Sequence, residues 1–240
     1  MRQASSGIIA MSILAMWGGC TESTSPTVNG VLSMSSKYTT QTVLAKSSTG
    51  AAVDSVVISR ARLVLRDIKF KSPSEDSTSF RTAPMVLELS LSGGVQEVGV
   101  VTVKPGTFQR IEFDVHRVEA PEIASLPAAD QTQFADFLAG ERYSIVVDGT
   151  VFQSGLAPAA FTYRSKVDAK QKIDLVDPLV IDAATLSVNA TLVISSANWF
   201  KSASGTLVDP SDPNNEGVID ENLKASIKVF KDNNRDGSKD

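Results

Sequence analysis

Apolar and polar side chains alternate along most of the chain, and this two-residue period predicts β-strands. The clearest example is 108–116, where Phe113 and Val115 point to one side while Glu112 and Asp114 point to the other. Such alternation is typical of a strand with one buried and one wet face. The same period, or a short β-branched run, predicts further strands at 54–70, 86–91, 98–103, 143–153, 160–166, 171–176, 186–195 and 222–230.

The strand pattern breaks between Pro121 and Gly140. Within this stretch Phe134, Phe137 and Leu138 share one helical face, and Gly140 is a residue type that commonly ends a helix. We therefore expect one short helix near 128–139. Strands and helices do not alternate regularly elsewhere, which disfavours a doubly wound nucleotide-binding fold.

About ten short strands, separated by Gly, Pro, Asp and Ser turns, predict an all-β fold, an antiparallel Greek-key β-sandwich. The helical break is the natural seam in this pattern. We expect two packed β lobes, at 37–120 and 141–240, with a helical connection at 121–140 between them. A chain of this length also suits one elaborate sandwich, which remains the alternative.

The first twenty residues have the pattern of a secretory signal. Arg2 precedes an apolar run that ends at Trp17, and this run is too short to cross a hydrocarbon core of about 30 Å as a helix. The last four residues, Trp17-Gly18-Gly19-Cys20, resemble the lipobox of bacterial lipoproteins. The alternative is an ordinary signal peptide in which Cys20 is an incidental small residue.

The lipobox resemblance implies a signal peptide at 1–19, followed by acylation of Cys20 with fatty acids such as palmitate. Two or three acyl chains hold a protein on a bilayer in an effectively permanent way. Residues 20–36 are rich in Ser and Thr and are expected to form the lipidated cysteine and a flexible tether. Thr21, rather than Asp, follows the cysteine, and by resemblance this favours the bacterial outer membrane, on either its periplasmic or its outer face.

Composition removes several classes of function. The chain has one His, one Cys and a net charge of −4, so it has too few ligands for a zinc cage or an iron–sulfur cluster, and it cannot form an internal disulfide. A mildly acidic chain also carries no basic footprint for nucleic acid. Any resident metal must use oxygen ligands.

The last residues of the chain contain the sharpest candidate motif, because oxygen-bearing side chains recur there at alternate positions with a glycine at the sixth position. This spacing is that of a calcium loop. The bidentate Glu of position 12 is absent, so either Asp209, Asp212 or Glu216 supplies a further ligand or water takes its place. The alternative is a solvated acidic tail. The predicted donors are Asp232, Asn234, Asp236, Ser238 and Asp240.

Two further sets of residues invite a functional interpretation. Glu112 and Asp114 are about 7 Å apart along a strand, a separation found in glycosidases, and His116 is the only imidazole base. We expect these side chains simply to form the wet face of their strand. Trp199 is either an exposed platform for a sugar or, as its size favours, a buried residue.

Several short segments resemble a group of uncharacterised bacterial lipoproteins, which are domains of unknown function similar in architecture to fimbrillin-like and transthyretin-like β-sandwiches. The resemblance implies an envelope location and a β fold, and it implies no reaction. The segments that carry it are Pro105 to Ile111, Gly140 to Gly149, Trp199-Phe200, Gly205, Asp209-Pro210 and Phe230 to Gly237.

We therefore predict a non-enzymatic, lipid-anchored β-sandwich protein of the cell envelope with a structural or binding role. It is expected to contact the membrane through its lipid, to meet a protein or glycan partner and to bind no nucleic acid. Apart from Ca²⁺, no cofactor is expected. The alternative is a carbohydrate-binding or adhesin-type surface protein that uses a surface around Trp199, and a glycoside hydrolase is the weakest of the three interpretations.

Overall fold

The computed structural model describes residues 28–39 and 53–240. These ranges hold eleven strands, and the all-β prediction is confirmed. Residues 1–27, which include the predicted signal peptide and Cys20, lie outside the described residues. The strands are β1 (Gly30–Thr39), β2 (Val53–Lys71), β3 (Ser77–Arg81), β4 (Met85–Glu88), β5 (Val95–Val103), β6 (Gly106–Val115), β7 (Ile145–Gln153), β8 (Ala159–Ser165), β9 (Ala169–Ile181), β10 (Ser187–Ser195) and β11 (Ile227–Lys231).

The helical segments are short. The expected helix near 128–139 is observed as one α-helical turn followed by a 3₁₀ turn at Thr132–Leu138. Within the two described ranges, no helix is long and apolar enough to span a membrane. The α-helices are α1 (Ala120–Ala124), α2 (Ala128–Gln131) and α3 (Glu216–Ala225), and the remaining 3₁₀ turns are Ser196–Asn198 and Pro213–Asn215.

The strands form two packed sheets, in agreement with a sandwich. Sheet A has the strand order β11-β10-β1-β5, and sheet B has the order β8-β7-β2-β6-β9, with β3 and β4 also paired to β2. The pairing of β1 with β10 is parallel, which departs from the expected antiparallel arrangement. Because β1 and β10 are far apart in sequence, this pair depends on a long-range contact.

The main core lies between the two sheets. In β6, the apolar side chains Phe108, Ile111, Phe113 and Val115 are buried, as their alternation predicts. A smaller apolar cluster lies elsewhere, where the helical segment 120–138 packs against Val64 of β2 and Val146 of β7. The helical segment therefore covers part of sheet B instead of merely connecting two lobes.

Strand β2 changes direction near Asp67. This residue has a φ of 53°, and the register with β6 shifts between Arg66 and Lys69, so the strand contains a β-bulge. A left-handed conformation is uncommon for a residue other than glycine, although Asp tolerates it better than most. The bulge lies beside the side chains of an ionic cluster described below.

The two sheets do not follow the predicted division at 121–140. Strand β1, from before the seam, pairs with β10, which comes after it. Strand β2 pairs both with β6 and with β7, which also lie on opposite sides of the seam. The described residues therefore form sheets that each combine both halves of the chain.

Two local expectations are also corrected. Residues 30–36, which were expected to belong to the tether, lie in the central strand β1. The predicted strand at 222–230 is observed only from Ile227, because α3 occupies Glu216–Ala225. Ile219 and Leu223 of α3 are buried, and their four-residue spacing is the helical period that the sequence offered at this point.

Candidate functional site

An open cleft of about 460 Å³ lies beside β8. One wall is the strand itself, and the other is the loop at 210–213 together with the start of α3. Most of the side chains that face this space carry a polar group, so the cleft suits a polar ligand. Its polar lining includes Tyr143, Thr162, Arg164, Lys166, Asp212 and Glu216.

Strand β8 forms the wall because it is the last strand of sheet B. It pairs with β7 from Ala159 to Ser165, and no described strand pairs with its other side. An edge strand presents a row of backbone N–H and C=O groups on its unpaired side. Along β8, Phe161 and Tyr163 are buried while Thr162 is exposed, so alternate side chains project outward from the core.

Tyr163 attaches β8, the first wall of the cleft, to α3. Its hydroxyl donates a hydrogen bond to Oδ1 of Asp220 at 2.7 Å and lies 3.2 Å from the carbonyl oxygen of Glu216. Burial, together with the neighbouring Asp220 carboxylate, raises the pKa of Tyr163 well above its usual range. The phenol therefore stays protonated and serves as a fixed donor.

Aromatic packing also holds β8 in place. The ring of Phe200 lies 5.5 Å from that of Phe161 and 6.3 Å from that of Tyr163, and both pairs meet edge to face. Such edge-to-face contacts stabilise aromatic pairs beyond the burial of their area. Because Phe161 and Tyr163 are only 7% and 6% exposed, neither ring offers an open face to a ligand.

Charges of both signs surround the cleft. The guanidinium of Arg164 lies 5.9 Å from the ring centre of Tyr143, which is within the range of a cation–π contact. Lys166 pairs with Glu141, and its hydrogen bond to this carboxylate raises the pKa of Lys166. The cleft is therefore polar without a strong net field, and this arrangement favours a ligand with several hydrogen-bonding groups.

A second polar site lies where α1 meets sheet B. The carboxylate of Glu122 receives a hydrogen bond from Nη1 of Arg66 at 2.6 Å and lies 2.7 Å from Nε2 of His116. Arg66 also lies 3.5 Å from a carboxylate oxygen of Asp114 and 3.4 Å from one of Asp67. We refer to Arg66, His116 and Glu122 as the ionic cluster.

The ionic cluster attaches the helical segment to the sheet. Burial alone would raise the pKa of Glu122, but the bonds from His116, Arg66 and the backbone N–H of Glu119 outweigh it and hold this pKa below its usual value. Glu122 therefore remains a carboxylate that is already bonded on both oxygens. Because both oxygens of Glu122 are occupied by these bonds, the geometry suits a structural contact.

We expected Glu112, Asp114 and His116 to form the wet face of their strand, and this expectation is wrong for two of the three. Glu112 is only 4% exposed and His116 only 5%. Glu112 lies opposite Lys69 of β2 and Lys172 of β9, and its carboxylate is 3.7 Å from the ammonium of Lys170. The long lysine stems flank this carboxylate, and neither Glu112 nor Asp114 lines the cleft beside β8.

The burial that the size of Trp199 favoured is confirmed, and the alternative of an exposed sugar platform is wrong. This side chain is 2% exposed and lies 6.0 Å from the ring of Tyr38. Tyr38 in turn donates a hydrogen bond to the hydroxyl of Ser196 at 2.7 Å. Trp199 is therefore part of the core at the end of β1.

The C-terminal loop, residues 232–240, folds back onto sheet A. Asp232 is fully buried, and its carboxylate accepts hydrogen bonds from the hydroxyl of Thr191 at 2.6 Å, from N–H of Asp236 at 3.1 Å and from N–H of Gly237 at 2.9 Å. Lys37 donates to the carbonyl oxygens of Asp236 and Gly237. The tail is therefore attached to the sheet by its own polar groups.

Three of the other predicted calcium donors accept hydrogen bonds within the same loop, and Ser238 contributes its backbone N–H. Asn234 and Asp236 accept hydrogen bonds from backbone N–H groups two residues further on, and Asp240 accepts one from Asn233. Across the described ranges, no three His, Cys, Asp or Glu residues are arranged to hold a metal. Asp212 and Glu216 lie at the cleft beside β8, and Asp209 bonds Gln153. Calcium binding by this loop stays a prediction.

The comparisons with known proteins give little further information. No family model matches the chain, and no curated protein matches it. Among solved structures, MbnP from Methylosinus trichosporium aligns with 84% of this chain and 99% of its own, with a TM-score of 0.40 and 9% identity. A similarity of this size carries no inference about a ligand or an activity.

Proposed function

We propose that this chain is a lipid-anchored protein of the bacterial cell envelope, without catalytic activity, and that the cleft beside β8 is its binding site. The anchor rests on the lipobox-like segment Trp17-Gly18-Gly19-Cys20, and the outer membrane is the favoured location. The binding role rests on the cleft, which combines polar side chains of both charges with the edge of β8 that no strand among residues 28–39 and 53–240 pairs with.

The cleft lies toward the end of the sandwich that is remote from the anchor. Strand β1 begins at Gly30, nearest the anchor in sequence, and ends at Thr39, opposite Ser195 of β10. The turn after Ser195 leads to Phe200, whose ring packs against Phe161 and Tyr163 in the wall of the cleft. A protein held by Cys20 therefore presents its cleft away from the attached end.

The ligand that this geometry favours is an extended peptide segment of a partner protein. A peptide that adds to a free strand edge is bound through main-chain hydrogen bonds, and its side chains find alternate pockets. Arg164 and Lys166 on one side and Asp212 and Glu216 on the other offer partners for polar side chains. The rings of Phe161 and Tyr163 offer no open face on which a sugar could stack, because both are buried.

The binding role is tested with a random peptide library selected on the purified protein. We expect a selected peptide to slow the hydrogen exchange of β8 backbone amides, and we expect Arg164→Glu to weaken its binding at least about tenfold. Lys228→Glu is the matched control, because Lys228 is an exposed cation on β11 at an edge of sheet A, away from the cleft. Peptides whose binding is equally weakened by both changes, or that leave β8 exchange unchanged, would contradict the proposal.

The anchor is tested by metabolic labelling with a palmitate analogue. Wild-type protein is expected to take up the label and to remain with the membrane fraction, because acylation at Cys20 supplies the attachment. Cys20→Ala is expected to lose both properties. Label retained in Cys20→Ala would defeat the anchor and leave the cleft unaffected.

A further inference from the structure

We propose that the end of the sandwich at which β1 begins rests against the lipid surface, with Val28, Val180 and Leu186 in contact with it. We call these three residues the apolar end patch. The proposal rests on the lipid anchor proposed above. It adds an orientation to that anchor, because it assigns one particular end of the body to the bilayer.

Sheet register brings the three residues of the patch to the same end. Gly30, two residues after Val28, lies opposite Val103 of β5, and the backbone N–H of Val31 donates to the carbonyl oxygen of Leu186 at 2.8 Å. Val180 lies opposite Thr107, at the start of β6. The beginnings of β1, β6 and β10 and the end of β9 therefore meet here.

The three apolar side chains of the patch are exposed at one end of the sandwich. Val28 is 52% exposed, and Val180 and Leu186 are each 42% exposed, whereas Leu179 and Ile181 on either side of Val180 are buried. Single exposed apolar side chains are ordinary on protein surfaces. Three of them at one end, beside the place where the chain leads toward Cys20, require a more specific explanation.

The connecting loop at 182–186 adds to the same surface. The carboxylate of Asp182 accepts hydrogen bonds from N–H of Ala184 at 2.9 Å and from N–H of Thr185 at 2.7 Å, so its charge is turned toward the backbone of its own turn. The tip that this turn presents consists of the exposed residues Ala183 and Ala184. A small apolar tip of this kind costs little to place among lipid headgroups.

Chain length limits how far this end lies from the bilayer. Val28 follows Cys20 by eight residues, and an extended chain reaches at most about 3.3–3.6 Å per residue, or about 29 Å in total. Contact with the surface is therefore an intramolecular event at high effective concentration, and a weak apolar contact suffices to orient the body. The opposite end of β1 lies nine residues beyond Gly30 and has no such constraint.

The charges near the apolar end patch indicate that it contacts the apolar part of the membrane interface and not anionic lipid headgroups. Lys104, in the turn between β5 and β6, and Asp182, in the turn after β9, carry opposite charges. The two turns therefore provide no net positive charge to attract acidic lipids. The contact is expected to depend on the burial of Val28, Val180 and Leu186 and to change little with the acidic-lipid content of the membrane.

The experiment uses the acylated full-length protein in phosphatidylcholine vesicles that contain lipids brominated in their chains. Acylation occupies the thiol of Cys20, the only cysteine of the chain, so a new cysteine is labelled selectively with a fluorescent probe. We expect bromolipid to quench a probe at Leu186→Cys strongly. A probe at Leu156→Cys should be unaffected. Leu156 is also exposed, at 61%, but it lies in the turn between β7 and β8, next to the start of β2 and at the end of the sandwich opposite the patch.

A second pair of variants tests the role of the patch itself. With the probe at Lys104→Cys, the change Val180→Asp is expected to reduce quenching at least about threefold, because a charge opposes burial in the interface. Val57→Asp is the control, since Val57 is 51% exposed on β2 and lies outside the patch. Added acidic lipid is expected to leave both results unchanged.

The outcomes separate the two proposals. Protein that fails to associate with vesicles at all contradicts the lipid anchor. Protein that associates through its lipid but shows no quenching at Leu186→Cys, or equal quenching at Leu156→Cys, overturns the orientation and leaves the anchor in place. Equal effects of Val180→Asp and Val57→Asp would also overturn it.

Discussion

Nε2 of His116 lies 2.7 Å from Oε2 of Glu122, while the other carboxylate oxygen accepts a hydrogen bond from Arg66 at 2.6 Å. One carboxylate of α1 is therefore bonded to side chains of β2 and of the residue after β6. This arrangement joins the helical segment to sheet B at the position of the β-bulge in β2. It is the contact whose removal should have the clearest dependence on pH.

Glu122→Gln is expected to lower the stability at neutral pH by about 1–3 kcal/mol, because it removes the charge that accepts from Arg66, His116 and the backbone N–H of Glu119. The pKa of Glu122 is lowered in the folded protein, so the carboxylate stabilises the fold above its ordinary pKa of about 4.5, and this stability is lost as the pH falls through the lowered value. Melting temperatures near pH 7 and near pH 3 should therefore differ less in Glu122→Gln than in the wild type.

Glu221→Gln is the control for this measurement. Glu221 pairs with Lys224 on the exposed side of α3, and such surface pairs contribute little. It should leave the melting temperature and its pH dependence nearly unchanged. A wild-type acid transition that persists in full in Glu122→Gln would contradict the assignment.

Arg62 and Asp136 form the second attachment of the helical segment. Arg62 is only 4% exposed, with Nη2 2.7 Å from a carboxylate oxygen of Asp136 and its guanidinium 5.6 Å from the ring centre of Phe137. We expect a double-mutant cycle with Arg62→Met and Asp136→Asn to show a coupling of about 0.5–3 kcal/mol in urea unfolding. Additive effects of the two changes would show that the pair contributes no interaction.

Asp232→Asn should loosen the C-terminal loop. The buried carboxylate accepts three hydrogen bonds, and the amide keeps only one oxygen to accept them, so we expect a loss of about 1–3 kcal/mol. Limited trypsin digestion should then cut after Arg235 faster than in the wild type. Asp76→Asn is the control, because Asp76 is exposed in the turn before β3.

The calcium prediction is tested separately on the same loop. Added Ca²⁺ is expected to raise the melting temperature of the wild type, and this rise should be absent in Asp236→Asn, because Ca²⁺ prefers carboxylate oxygens. A melting temperature that is the same in Ca²⁺ and in EDTA would count against calcium. It would leave the docking of the tail through Asp232 intact.

Gly149 of β7 is expected to tolerate no side chain. A Cβ atom there would lie 2.4 Å from the carbonyl oxygen of Val57 and 2.7 Å from the ring of Phe161, so Gly149→Ala should cost at least about 1–3 kcal/mol. Gly217→Ala provides the contrast, because a Cβ at this position of α3 would meet nothing within 4 Å beyond its own stretch of helix. It should stabilise the protein by about 0.5–1 kcal/mol in thermal unfolding.

Trp199 should report on the core. The chain has two tryptophans, and Trp17 leaves with the predicted signal peptide. Because Trp199 is 2% exposed, the fluorescence of the mature protein should be blue-shifted and resistant to iodide until the protein unfolds. Emission typical of a solvated indole in the native protein would contradict the burial.

The spacing of apolar residues in the sequence predicted those elements that bury one face and expose the other. The alternation at 108–115 corresponds to β6, and the helical face of Phe134 and Phe137 corresponds to the turn that buries both rings. In these segments the apolar side chains are buried as their period predicts. The period does not show that Glu112, on the polar side of β6, is buried as well, because that burial depends on the neighbouring strands.

Strand β1 was missed because its composition is polar. Ser33, Ser35 and Ser36 are buried, and the hydroxyls of Ser33 and Ser35 bond the side chain of Asn189 on β10. Buried polar groups need such partners, and these partners come from residues more than 150 positions away. Local composition therefore indicated a solvated tether where the fold places a central strand.

The two ionic attachments of the helical segment and the cleft were missed for a related reason. Arg62 and Arg66 have the alternation of a wet strand face, but the helical segment covers that face and supplies Asp136 and Glu122 as partners. The cleft depends on β8 being the last strand of its sheet. Strand order follows from long-range pairing, and a single sequence carries little information about it.

The position of β1 has a mechanical consequence. This strand is the first element of the described residues, which begin eight positions after the predicted attachment point, and it lies between β10 and β5 in the middle of sheet A. A force transmitted through the lipid pulls β1 along its own axis, so the hydrogen bonds to both neighbours are loaded in shear and share the load. The body should therefore resist being torn from its anchor far better than it would if an edge strand carried the connection.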